Sequence, residues 1–296
     1  MSNNIRPSSF NEIIGQSSVI DRLRVSVAGC KNSSTVMPHV LIDGPPGLGK
    51  TTIASAIATE LDVNLYVANA ANLRSIKSVL PYLMRMTKRS VFFIDEIHRL
   101  PKLVEEFLYP VMEDFVINIV LDKDPETIDI PAFTLVGATT SGGSLSQPFY
   151  DRFQIKEHLH FYNDDELAKL AGLNAQKLGL IVSEDDLLEI AKRSKGTPRI
   201  LNSRLQWYKN YKLCNPSEND IDKIFSIQGI DDHGLDAYDN MYLDILRKYK
   251  GTPLGLKAIS SLTGIAIETI ENSIEPFLIR MGYVNRTQKG RVIGKI

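Results

Sequence analysis

Long apolar runs and an excess of either charge are missing from this 296-residue chain, and cysteine is scarce. No stretch approaches the ~18 consecutive apolar residues of a membrane-spanning helix, and the opening string MSNNIRPSSF has no apolar signal core. Neither export nor membrane insertion is expected, and a cytoplasmic location is. The two cysteines, Cys30 and Cys214, lie far apart with no Cys or His at ligand spacing. That argues against a disulfide framework or a zinc site and suits a reducing compartment. Lys and Arg number 34 against 35 Asp and Glu. The surface as a whole therefore does not advertise nucleic-acid binding, and any such site must be local. Repeats and low-complexity tracts are absent too, while an apolar share of 43% is ample for a core in each of two or three domains.

What is present centres on residues 39–58, HVLIDGPPGLGKTTIASAIA. A short apolar run, Val40-Leu41-Ile42, has the length of a buried strand. It ends in a complete G-x-x-x-x-G-K-T from Gly44 to Thr51, and a helical pattern (Ile53, Ala54, Ile57, Ala58, Leu61) follows at once. Glycines such as Gly47 and Gly49 let successive backbone N–H groups point at phosphate oxygens, and the helix N-terminus adds its partial positive charge at the same place. Lys50 would reach the β- and γ-phosphates, and Thr51 would complete a Mg²⁺ shell. The expected ligands are ATP and Mg²⁺. A chance Gly-rich turn does not explain strand, loop and helix in this order.

Further along, residues 63–68 read as a second strand and 73–86 as a helix. Ser90-Val91-Phe92-Phe93-Ile94-Asp95-Glu96 is an apolar run emerging into two carboxylates. Continuous apolar strands suit a parallel sheet covered on both faces, and ligands bind at the carboxyl ends of such strands. Asp95 would hold Mg²⁺ through water, and Glu96 would orient and polarise the attacking water. Residues 104–115 suggest a helix interrupted at Pro110, with Ser8 or Ser9 capping an earlier one. Residues 116–132 hold Asp122-Lys123-Asp124-Pro125 between two β-like runs, suggesting a hairpin, and 134–140 reads as another buried strand. Asp151-Arg152-Phe153 follows, with 157–161 as a closing strand. Alternating strands and helices make the fold class α/β, a P-loop domain with a parallel sheet over residues 1–162.

From residue 163 to 228 the pattern is helical only, an all-α lid: 165–178 capped by Asp164, 185–194 opened by Ser183, and 199–211 with Thr197 as N-cap and Pro198 at its first position. Trp207 on the last of these fits core or interface better than ligand stacking. Residues 231–234 read as a linker. The segment 229–296 then offers three helical patterns (236–249, 256–262, 267–281) and a β-hairpin turning near Lys289-Gly290, a winged helix. From Arg280 onward stand Arg280, Arg286, Lys289, Arg291 and Lys295 without one acidic residue. In an otherwise neutral chain that local excess suggests phosphate-backbone contact, the bland alternative being a solvated hairpin.

Seven strings in order, RPSSFNEIIGQ, GPPGLGKTT, FIDEIHRL, YPVMEDF, FTLVGATT, GTPRI and NRTQKGRV, give a chain that resembles the RuvB family, AAA+ motors of Holliday-junction branch migration. The likeness runs from about residue 5 to 291. It implies that Ile5, Arg6 and the Ile14-Gly15 segment pack against adenine, and that Gly47, Lys50, Thr51 and Thr52 contact phosphates and magnesium. By the same resemblance Thr140 is sensor 1, and Arg152 an arginine finger reaching a neighbouring subunit's site. Glu113, Asp114 and Phe115 match a segment near the subunit interface and nucleotide. Tyr162 and Arg199 match lid contacts, with Arg199 as sensor 2, and Arg286 and Arg291 match wing arginines on DNA phosphates. The chain departs from the family pattern at Ser141, Tyr150 and Gln154, where arginine, arginine and glycine are usual. It departs also in a shorter hairpin, carrying Asp124-Pro125-Glu126 where a RuvA-type partner docks.

The resemblance implies a hexameric ring that translocates double-stranded DNA at four-way junctions, with a RuvA-type partner. Two other functions share the coarse architecture: an AAA+ winged-helix DNA-binding switch of the origin-binding type, and an AAA+ remodeller of proteins.

Overall fold

The computed structural model describes residues 5–121 and 124–294. Of the expected turn, Asp122 and Lys123 lie outside the described residues, as does the basic Lys295, while Asp124 and Pro125 belong to a strand. Two compact units emerge. One holds Arg6–Gly44 and Leu48–His160; the other holds Ile5, Pro45–Gly47 and the described residues from Phe161 onward.

The first unit is built on a five-stranded parallel sheet. Its elements run α1 (Ser17–Ser33), β1 (Val40–Asp43), α2 (Lys50–Leu61), β2 (Leu65–Asn69), α3 (Ile76–Leu83), β3 (Val91–Asp95), α4 (Lys102–Glu113), β4 (Val116–Leu121), β5 (Asp124–Asp129), β6 (Thr134–Thr139), α5 (Gln147–Asp151) and β7 (Ile155–His158). The order across the sheet is β2-β3-β6-β1-β7, and β4 and β5 form a separate antiparallel pair. Val40, Leu41, Ile42, Phe92, Phe93, Ile94, Leu135 and Val136 are all buried, as strands covered on both faces require. In-register parallel pairing brings Asp43, Thr139 and His158 level with one another, and Asp95 level with Asn69. The carboxyl ends of all five strands thus share one edge.

Two local expectations are corrected. Neither Ser8 nor Ser9 caps α1; a short 3₁₀ turn, Phe10–Glu12, follows Ser9, and the chain reverses through Gly15 and Gln16, both at positive φ, before α1 begins. The buried Phe10 pins that turn while its backbone N–H donates to Glu60 Oε1 at 3.2 Å. Helix α4 is not interrupted at Pro110 but passes through it. A proline this near the C-terminus removes one helical bond, to the carbonyl of Glu106 on the exposed side, which water can satisfy. Pro110 O still accepts from Asp114 N at 2.9 Å.

The second unit contains α6 (Asp164–Lys177), α7 (Glu184–Lys192), α8 (Pro198–Cys214) and α9 (Ile221–Ser226). It continues with α10 (Ala237–Lys248), α11 (Leu256–Thr263), α12 (Ile267–Thr269), α13 (Glu275–Arg280), β8 (Val284–Thr287) and β9 (Gly290–Ile293). Asn163, rather than Asp164, caps α6: its side chain accepts from Glu166 N, and Glu166 returns a bond to Asn163 N. Helix α9 has no counterpart in the sequence pattern; it covers Trp207, whose Nε1 donates to Ile224 O at 2.9 Å. A π-helical segment, Ile270–Ile274, joins α12 to α13. The expected linker at 231–234 is an ordered turn, with Asp231 Oδ1 accepting from the backbone of His233 and Leu235. Leu243, Leu246, Ile259, Ile270, Leu278 and Val284 form the winged-helix core. Among the described residues no helix is long and apolar enough to cross a membrane.

Candidate nucleotide site and winged-helix surface

Strand β1 delivers the chain to its carboxyl edge, where the loop 44–49 turns into α2. Gly47 and Gly49 have φ of 85° and 97°, a left-handed backbone that side chains disfavour. The following twelve-residue helix opens with Lys50, Thr51 and Thr52, so their N–H groups form the positive end of its dipole. Lys50 is buried and donates from Nζ to Gly44 O at 2.7 Å, closing the loop on itself. Helix terminus, curled glycine backbone and ammonium together fit a triphosphate.

Asp95 and Glu96 stand at the end of β3, on the same carboxyl edge of the sheet and one strand removed from β1. Asp95 Oδ1 accepts from Glu96 N at 3.0 Å, and Glu96 takes a left-handed φ of 51°. That left-handed turn ends the strand's strict alternation of side chains between opposite faces, so the direction of the second carboxylate is set by the turn and not by the strand. Thr140, just past the end of β6, donates from Oγ1 to Glu96 Oε2 at 3.1 Å. His98, to which sequence reasoning gave no chemistry, belongs to this cluster. Its Nδ1 lies 2.9 Å from Thr139 Oγ1 and 3.4 Å from Glu96 Oε2. Its position two residues past the acid pair was the available signal.

Gln16 was also missed. Its side-chain amide spans the backbone of His160, donating to His160 O at 2.5 Å and accepting from His160 N at 3.2 Å. The half-buried Ile14 and the Gly15 turn are thereby tied to the end of β7 at the carboxyl edge. Arg6 is exposed in the same unit, and Ile5 is half-buried in the other.

Arg152 and the Glu113-Asp114-Phe115 segment lie elsewhere. Arg152 precedes β7, and Gln154 Oε1 accepts from His39 N at the start of β1, so this group occupies the amino edge of the sheet. Arg152 donates to Pro148 O at 2.7 Å and to Glu113 Oε2 at 3.2 Å, and its guanidinium stands 4.0 Å from the Tyr109 ring centroid. Asp114 is exposed. Phe115 turns inward, edge-on to Phe133 with ring centroids 6.0 Å apart. With β1 four residues long and a rise of roughly 3.3 Å per residue, the two edges stand more than 10 Å apart. Arg152 does not meet Lys50, Asp95 or Glu96 of its own chain.

His39 ties this edge together. Its Nδ1 accepts from Leu135 N at 2.9 Å while Nε2 donates to Met112 O at 2.9 Å. Both bonds exist only in the neutral imidazole, and burial pushes its pKa below the usual value. Stability from this group is present above its unfolded pKa, near 6.5, and is lost as pH falls through the lowered folded value. The unfolding midpoint should therefore drop as pH falls below about 6.5. His39→Gln should cost about 1–3 kcal/mol at pH 8 and flatten that dependence; an unchanged slope in thermal melts would refute this role.

In the second unit, Tyr162 is buried and its N–H donates to Gly196 O at 3.0 Å. Arg199 is exposed on the first turn of α8, and its N–H donates to Gly47 O at 3.3 Å. On the wing, Arg286 and Arg291 converge on Glu275, a buried carboxylate that sequence reasoning overlooked because it lies just upstream of the basic run. Arg286 Nε donates to Oε2 at 3.0 Å and Arg291 Nε to Oε1 at 2.8 Å, while Tyr242 OH adds a bond of 2.7 Å. Burial raises the Glu275 pKa, but bonds from Arg291, Tyr242 and Arg286 outweigh it and leave the carboxyl below its ordinary range. Arg286 retains 52% side-chain exposure, Arg291 only 16%; Lys289 is exposed at the turn.

The departures from the family pattern have partners of their own. Tyr150 receives Lys156 Nζ 4.2 Å from its ring centroid, Gln154 holds β1 as above, and Ser141 N donates to Thr139 Oγ1 at 2.9 Å.

A phosphate loop opening a helix, an acid pair ending a strand and a hydroxyl bonded to the second acid, followed by lid helices and a winged helix, define a P-loop ATPase of the AAA+ class. Comparison with known proteins agrees segment by segment. The P-loop domain of the Holliday junction DNA helicase RuvB matches residues 5–159, the RuvB AAA lid domain 162–236, and the RuvB C-terminal winged helix domain 232–296. The chain belongs to the RuvB family. It is 41% identical over 297 residues to the Holliday junction branch migration complex subunit RuvB of Rhodopirellula baltica, covering 97% of this chain and 81% of that one. With the subunit from Fusobacterium nucleatum it shares 39% over 300 residues, covering 98% and 90%. The solved Thermotoga maritima RuvB Holliday junction branch migration motor superposes with a TM-score of 0.89 at 37% identity, covering 98% of this chain and 96% of that one.

Proposed function

We propose that this chain is the ATP-driven motor of Holliday-junction branch migration, acting as a ring of copies, six by family likeness, that pulls duplex DNA. Triphosphate sits on the loop 44–51 with Lys50 and the first turn of α2 at its phosphates. Glu96, held by Thr140, accepts a proton from the attacking water and aligns it. Thr51 and Asp95 would hold Mg²⁺, which neutralises charge on the phosphates. Arg152 completes the site of the adjacent copy, where a guanidinium stabilises charge developing on the transferred phosphoryl group.

The carrying observation is the separation of Arg152 from its own phosphate loop, at opposite edges of one sheet. An arginine poised beside an exposed acidic segment, yet remote from its own acid pair, suits a site divided between neighbours. The relatives named as branch migration complex subunits support junction DNA and a RuvA-type partner as what this chain works with. The β4–β5 hairpin is the surface on which such a partner would dock.

A four-way-junction migration assay, with and without a RuvA-type partner and with ATP consumption followed, tests the reading. Migration coupled to turnover is expected; slow turnover with tight, immobile DNA binding would identify a switch instead. At the wing, replacing Arg286 and Arg291 by Ala should weaken duplex binding for all sequences alike. It should also shallow the salt dependence, by about one unit of slope for each phosphate that is no longer neutralised. Weakening confined to one sequence would mean base readout.

A further inference from the structure

The turn that carries Arg199 is gripped by the winged helix through a buried charge cluster. Lys195, only 5% exposed, sits at a left-handed φ of 51° immediately before Gly196. Its Nζ donates to Asp236 Oδ2 at 3.0 Å and also to Asp239 Oδ2. Both aspartates belong to the start of α10. Asp236 caps that helix, accepting from Tyr238 N at 2.9 Å, and Asp239 returns a bond to Asp236 N at 2.8 Å. Asp239 is fully buried, and its Oδ1 has no hydrogen-bond partner among the described residues.

A second grip comes from α13. Arg280 stands with its guanidinium 4.2 Å from the Phe161 ring centroid, and a Cβ added at Gly196 would collide with that guanidinium. At the neighbouring turn, a Cβ added at Gly234 would meet the Arg193 backbone at 2.8 Å. Lys195 and Gly196, which lead into Arg199, are thus clasped by two helices of the winged-helix fold, and lid and winged helix cluster into one compact unit. A left-handed, buried lysine is a costly way to place a charge, and it persists only where surroundings over-determine it.

We propose that Lys195 is a positioning residue that transmits load on the wing to the nucleotide-sensing turn, by pinning that turn to Asp236 and Asp239. It rests on the reading of Arg199 as a nucleotide contact and of the wing as a DNA contact. DNA engaged at the hairpin displaces the winged-helix core; α10 is part of that core, and the ion pair carries the displacement to Gly196 and Arg199. A buried ion pair also supports folding, so a fall in stability alone decides nothing.

The test uses full-length protein and compares ATP turnover with and without long duplex, alongside duplex affinity and thermal unfolding. Lys195→Met leaves Asp239 buried without its cation and should lower the unfolding midpoint. Lys195→Met with Asp239→Asn removes both charges and should recover most of that midpoint. In this double variant the stimulation of turnover by duplex should still fall by at least about fivefold, the lower end of ordinary coupling between sites, with duplex affinity unchanged. Lys195→Arg, which keeps the cation, should restore part of the stimulation. Full stimulation in the double variant would overturn the proposal and reduce the cluster to a folding element. A parent protein whose turnover ignores duplex would instead refute the motor reading beneath it.

Discussion

Arg152→Ala protein should bind ATP normally and turn it over about 10³–10⁵ more slowly, the range by which arginine fingers accelerate phosphoryl transfer. Mixing it with Lys50→Ala protein should recover a fraction of the missing activity. Each mixed interface can pair an intact loop from one copy with an intact Arg152 from the other. The reason is geometric: Arg152 is bound to Glu113, Pro148 O and the Tyr109 ring at the amino edge of the sheet, while Lys50 closes on Gly44 at the carboxyl edge. Chain flexibility does not bridge that separation, because β1 and β7 run the whole way between and are locked in register. Turnover unaffected by protein concentration, or no recovery in any mixture, would mean that each copy works alone.

Glu96→Gln should separate binding from cleavage. The amide keeps the shape and can still accept from Thr140 Oγ1, so the local bonds and the left-handed turn survive. What it loses is the capacity to take a proton from water, an ability worth typically 10²–10⁴ in rate. Nucleotide affinity should stay within about threefold, a change under 1 kcal/mol, while hydrolysis falls by that larger factor. A variant turning over ATP at the parental rate would transfer the role to another group, with His98, 3.4 Å from Glu96 Oε2, the first to examine.

How much of this was legible beforehand follows from how local each feature is. The phosphate loop and the acid pair are contiguous strings whose chemistry depends on one strand end and one helix start, so residue order was enough. The sheet was legible for the same reason, since uniformly apolar strands such as Val91–Ile94 have few other places to go. His98, Gln16 and Glu275 were not, because each matters through a partner far along the chain or across a turn. Glu275 shows the point best: counting charges from Arg280 onward gave an unopposed basic wing, whereas its counter-ion stands five residues earlier, folded beneath the hairpin. Pro110 misled in the other direction, since a helix-breaking residue is tolerable where its orphaned carbonyl faces water. Helix α9 carries Ile221, Ile224 and Phe225 at helical spacing, but six residues are too few for that spacing to stand out from its polar flanks.

The Glu275 anchorage has a kinetic implication for a machine that handles a polymer. If the wing meets DNA as proposed, Arg286 and Arg291 have given up their rotational freedom when the chain folds, not each time a phosphate arrives. Little ordering remains to be done at contact, and little disorder is regained at release, so neither event is slowed by side-chain rearrangement. Fingers already stiffened in this way suit repeated brief touches along a passing strand better than a single lasting hold.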